Sequence, residues 1–220
     1  SVGNTNMLSD YAAIKNGSYG KLMKAYYAKQ DAEKLSGKGD TSQKLTLMKT
    51  SADSLKKSAD ALNDSSLWGK KKIKKKDEKT GEEIEVEDYD WDKITKAVKS
   101  FVEDYNDVVK EAGESNTKDV LRNASWMTGM TDKNSNMLAK IGITIGKGNK
   151  LELDEDALKQ ADISSLKTVF TGYNSFVSKI SQKATGISNA ANRASATYTN
   201  NGTYSKTDSS LTSSKIDKEV

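Results

Sequence analysis

No histidine, cysteine or proline occurs in the 220 residues of this chain. The first two absences remove the imidazole base, the thiol nucleophile and the usual zinc or copper ligands, and with them most catalytic templates. Lack of cysteine fits a reducing or an oxidising compartment alike. Oxygen-only magnesium or calcium sites and carboxylate-pair hydrolysis survive that exclusion. The acidic residues, however, fall mainly at helix starts and on polar helix faces, so the reading is no catalytic residue, no cofactor and no metal site. Nor is there a secretory signal, or an apolar run near the roughly 20 residues of a transmembrane span. The chain opens on Ser1 and not on Met, and the expectation is a trimmed start with an address signal missing.

What is present is charge and helical periodicity. Hydrophobic residues make up 35% and charged residues 30% of the chain, a polar balance that suits helices burying a single stripe and favours a rod over a ball. Tyr19, Leu22, Met23 and Tyr26 share one face of a first helix that ends near Gly37 and Gly39. Leu45, Met48, Ala52, Leu55, Ala59 and Leu62 recur at alternating three- and four-residue steps, as a helix packing along a partner requires. A third helix repeats the pattern in two rows, Ile94, Phe101 and Val108, then Val98, Tyr105 and Ala112. A fourth is expected from about Thr117 to Ile141, weakened in its middle by Gly129 and the polar residues that follow.

The longest seam runs from Tyr173 to Tyr198. Tyr173, Ile180, Ile187 and Ala194 stand seven apart, as do Val177, Ala184, Ala191 and Tyr198. Four heptads make about 40 Å of apolar stripe. A helix of this kind is marginal alone in water, so another helix, of this chain or of a partner, must cover it. These eight residues are the candidate partner-binding face.

Two segments break the helical pattern. In residues 70–92, six lysines surround Ile73 and an acidic stretch follows. The lysine run could serve as a nucleic-acid or anionic-surface patch. A hairpin turning through Glu78, Lys79, Thr80 and a left-handed Gly81 explains more of the residues. In that register Ile73 lies opposite Val86, Lys74 opposite Glu85 and Lys72 opposite Glu87. The second segment, IGITIGKGNKLELDEDALKQ, looks like a phosphate loop. It lacks the required glycine spacing, and Gly148 follows Lys147 where a hydroxyl should hold magnesium. Ile143 and Ile145, then Leu151 and Leu153, read instead as a second hairpin, followed by a short helix capped by Asp154. Asp162 caps the next helix.

Three stretches in this order carry a resemblance: ITKAVKSFVEDYNDVV, LAKIGITIGKGNKLELDEDALKQA and LKTVFTG. Together they resemble the C-terminal region of the bacterial flagellar filament cap protein, hook-associated protein 2, over roughly residues 93–172. The resemblance implies a helical core built by terminal segments, export as an unfolded chain and assembly outside the cell with filament subunits. The cap family's outward insert is missing here or reduced to the charged hairpin.

The reading is therefore a mainly α protein, an elongated antiparallel helical bundle with one or two small β-hairpins. Residues 1–172 are expected to form a helical domain with hairpins near 70–91 and 143–153. Residues 173–199 are expected to be a long heptad helix packing back on the bundle, and 200–220 a mobile tail. Function is expected to be structural and non-enzymatic, through helix packing with itself or with flagellin-type axial proteins, on the flagellum or cell surface. The alternative is a nucleic-acid or anionic-surface binder using Lys70–Lys76, or a cytoplasmic location.

Overall fold

A computed structural model describes residues 39–200, with side chains to residue 196. The expected first helix with its tyrosines, residues 201–220 of the expected tail and the side chain of Tyr198 lie outside the described residues. The fold is mainly α, with seven α-helices and two small antiparallel sheets of two strands each among the described residues.

Helix α1 (Ser42–Leu62) starts where the Thr41 hydroxyl accepts from the Lys44 N–H at 3.2 Å, a cap that satisfies one of the helix's orphan donors. Its six seam residues, from Leu45 to Leu62, are all buried. After a 3-10 turn at Ser65–Trp68 come strands β1 (Lys70–Lys76) and β2 (Glu83–Tyr89). Helix α2 (Trp91–Gly113) follows, capped by Asp90, and both of its expected rows are buried.

The fourth helix expected from the sequence is two helices. α3 (Lys118–Lys133) ends at Asn134, whose backbone leaves the helical region at φ −100° and ψ 9°, and α4 (Ser135–Ala139) begins there. The break lies in the polar stretch, and the Asn134 side chain donates back to the Met130 carbonyl at 2.8 Å. Gly129 stays within α3. Strands β3 (Ile143–Ile145) and β4 (Leu151–Leu153) pair in the expected register, Ile143 with Leu153 and Ile145 with Leu151. Gly148 and Asn149 supply the positive φ of the turn. Then come α5 (Glu155–Gln160), α6 (Ile163–Phe170) and α7 (Phe176–Asn200), with Asp154 and Asp162 capping the first two as expected.

The four longer helices form an antiparallel bundle in which α7 lies between α1 and α3, and α2 touches both α1 and α3. Cross-helix hydrogen bonds fix the directions. Ser181 donates to Asp60 and Ser188 to Asp53, both at 2.6 Å, so α7 runs against α1. Tyr105 in α2 donates to Thr131 in α3 at 2.8 Å, and the loop between them is short, so that pair is antiparallel too. Phe101 sits in the centre, its ring centroid 6.2–6.4 Å from those of Tyr105, Phe170 and Phe176. Trp68 stacks on Phe170 and donates to the Leu62 carbonyl at 2.7 Å, closing one end of the core.

Three polar side chains join distant parts of the chain. Asn63 exchanges two hydrogen bonds with the Gly172 peptide, tying the end of α1 to the approach to α7. Asn106 does the same with the Leu151 peptide, holding the second hairpin against α2. Asp40, buried ahead of α1, accepts from the Ser115 and Thr117 hydroxyls and from the Asn116 and Thr117 N–H groups. Thr117 makes no side-chain capping bond to α3, and Asp40, 77 residues away, instead holds the loop that leads into that helix.

Candidate assembly interface

The candidate face on α7 is set by where the helix starts. Ser175 accepts from the Ser178 N–H at 3.2 Å, and the helix begins at Phe176, three residues later than the sequence pattern implies. Tyr173 is consequently not on the seam. It precedes the helix and is 84% exposed, while Phe176 takes the seam position one turn before Ile180. Val177, Ile180, Ala184, Ile187 and Ala191 are fully buried, and Ala194 is half-buried. Within the described residues the seam is thus covered by the chain's own α1 and α3.

Polar contacts reinforce the α1–α7 contact at the same period. Asp53 and Asp60 stand seven apart, as do their donors Ser188 and Ser181, and each carboxylate also meets a lysine one turn earlier, Lys49 or Lys56. Desolvation pushes both carboxyls up, but the bonds from lysine and serine outweigh it and the net direction is down. Sequence reading missed these clamps although their heptad spacing was available: an apolar pattern search skips aspartate and serine. On the other side of α7, Gly186 faces Asn123. A Cβ at residue 186 would lie 2.5 Å from the Asn123 side-chain oxygen, so the weak point in helix propensity is where α3 approaches closely.

Apolar surface remains outside this core. Trp126 on α3 is 49% exposed, with the Lys183 ammonium 4.6 Å from its ring centroid. Ile84 on β2 is also exposed. Among the described residues no three histidine, cysteine or acidic side chains come together as a metal-holding group. A cleft between α2 and α5 holds the exposed Lys99–Glu155 ion pair at 2.8 Å and the unpartnered Thr95 hydroxyl, with lysines and acids mixed along it. No nucleophile and base are paired there.

The lysine strand has the register expected of it, with Lys72 opposite Glu87, Ile73 opposite Val86 and Lys74 opposite Glu85. Its ion pairs, however, are diagonal: Lys72 meets Glu85 at 3.7 Å, Lys74 meets Glu83 at 3.9 Å, and Lys75 meets Asp88. The twist of a two-stranded ribbon and the length of lysine carry the head two residues along the partner strand for Lys72 and Lys74 and four for Lys75, always on the same face. With an acidic strand bonded along its side, the lysine run does not stand as a one-signed patch, and the nucleic-acid reading finds no support.

Residues 115–219 match the family model described as flagellar hook-associated protein 2 C-terminus. Over that segment the chain is similar to the C-terminal region of the flagellar cap protein. The match covers just under half of the chain and begins after α2, so the α2 stretch that carries the first part of the sequence resemblance lies outside it. Inside it fall both the second hairpin and α7. No curated protein and no solved structure matches the chain. The family of the hook-associated protein 2 C-terminus is a structural one of the flagellar cap, and no helix among the described residues is long and apolar enough to cross a membrane.

Proposed function

We propose that the chain is a non-enzymatic flagellar assembly protein that acts outside the cell by packing against copies of itself and against flagellin-type axial proteins. The observation that carries this is the cap-protein match over residues 115–219, joined to a bundle whose polar side chains serve as caps, clamps and bridges. Because the α7 seam is filled internally, the bundle works as a preformed body and partners meet its outside. Among the described side chains of the candidate face, Tyr173 is the one fully available for that, at the joint between α6 and α7.

Binding of the 220-residue chain to purified filament protein, followed by sedimentation, tests this. Complex formation is expected, and Tyr173→Ser should weaken it several-fold while leaving the thermal midpoint within about 2 °C, because exposed positions shift stability by only about 0.5 kcal/mol. A chain that stays monomeric at high concentration and ignores axial proteins would refute the proposal.

A further inference from the structure

The β1–β2 hairpin meets the bundle at its base, where Tyr89 packs against the core and the Lys167 ammonium lies 6.0 Å from its ring centroid. No other helix or strand among the described residues packs along either strand, and nearly all its side chains are exposed or half-exposed. A lone two-stranded ribbon is marginal in water, and each outer edge offers a row of unpaired backbone groups. Its two edges are chemically opposite. One is the strand KKKIKKK and the other EIEVEDY.

We infer that this hairpin is a directional self-assembly edge, at which the basic β1 of one copy adds alongside the acidic β2 of the next. Pairing like with like is excluded by charge, since β1 against β1 sets lysines against lysines and β2 against β2 sets glutamates against glutamates. Lysines on an edge strand ordinarily keep copies apart; here the same repulsion selects the one arrangement in which they meet acids. Side-chain alternation supports it. On one face Lys72, Lys74 and Lys76 oppose Glu87, Glu85 and Glu83, and on the other Lys71 opposes Asp88, Ile73 opposes Val86 and Lys75 opposes Ile84. An antiparallel pairing between copies in this register, or slipped by two residues toward Ile84, puts lysine beside glutamate on one face and Ile73 beside Val86 or Ile84 on the other. Such a contact joins two different surfaces, so it propagates head to tail into a ring or an open filament.

The inference goes beyond the proposed function by naming a strand edge in place of helices, and its readout is separate. In the full chain, Lys72, Lys74 and Lys76 are changed to glutamate together with Glu83, Glu85 and Glu87 to lysine. The swap preserves every opposition within the hairpin. Native and swapped chains should each self-associate, yet fail to form mixed species when differently labelled copies are combined, because β1 would then meet a β2 of its own sign. In the unmodified chain, raising salt from about 50 to about 500 mM should weaken self-association at least roughly tenfold, as screening of exposed charges requires. Free mixing of native and swapped chains, or self-association indifferent to salt, would overturn the inference while leaving helix-mediated assembly standing. A native chain that remains monomeric at low salt would overturn it as well, whatever its binding to filament protein.

Discussion

Ile180→Asp is expected to leave the chain unfolded at 25 °C. Ile180 is completely buried on α7, in the seam covered by α1. Removing it forfeits about 1.5–3 kcal/mol of burial. A carboxylate left without a partner in the same place costs several kcal/mol more, whether it stays charged or takes up a proton. The sum rivals the roughly 5–15 kcal/mol that separates a folded domain from its unfolded chain. Far-UV circular dichroism and urea titration would register loss of the cooperative transition. Lys179→Asp, one residue earlier on the exposed side of α7, is the control and should move stability by about 0.5 kcal/mol at most. A native-like melt for Ile180→Asp would mean that the seam is not packed as described.

The second large effect belongs to Asp40. Asp40→Ala removes the acceptor for two hydroxyls and two backbone N–H groups at the α2–α3 loop. The Thr117 N–H keeps the Ser115 hydroxyl at 3.0 Å, but the Asn116 N–H and the buried Ser115 hydroxyl lose their acceptor, and a buried group left unmet costs about 1–3 kcal/mol. The expected loss is about 2 kcal/mol, or roughly 6 °C in midpoint for a chain of this size. The effect also has a pH signature. Burial raises the Asp40 carboxyl, yet the bonds from Ser115, Thr117 and Asn116 outweigh it, so the folded group titrates below its unfolded counterpart. Its contribution is complete above about pH 5 and drains away as pH falls below about 4. The stability difference between native and Asp40→Ala chains should therefore shrink toward acid, with Asp40→Asn lying between them. A difference constant from pH 6 to pH 2 would show that ionised Asp40 is not the acceptor. Asp104 acts in the opposite sense: burial raises it, and Asp107 and Glu103 add to that against the bond from Ser58, so its ionised form detracts from stability near neutrality.

How far the molecule was legible in its sequence follows from which forces leave a periodic trace. Apolar burial does, and the seams of α1 and α2 are buried at every residue the spacing named, from Leu45 to Leu62 and from Ile94 to Ala112. Turn chemistry does too, since Gly81 adopts the left-handed conformation and the hairpin register follows from it. The start of α7 was misplaced because the heptad arithmetic admits Tyr173 equally well, and only the Ser175 cap decides otherwise. The split at Asn134 was visible as weakness but not as a break. The long-range acceptors were not legible at all. Asp40, Asn63 and Asn106 bond to peptides 45 to 109 residues distant, and nothing in their local sequence separates them from ordinary surface polar residues.

The central claim is that the α7 stripe is closed inside each molecule, leaving assembly to the outer surface. Since the chain has no cysteine of its own, a double variant Asp53→Cys with Ser188→Cys reports on it directly through a short thiol-reactive crosslinker. The account predicts rapid linkage within single chains, seen as a faster-migrating monomer at every protein concentration. Linkage found only between chains, rising with concentration, would show that another molecule covers the stripe and would contradict the account.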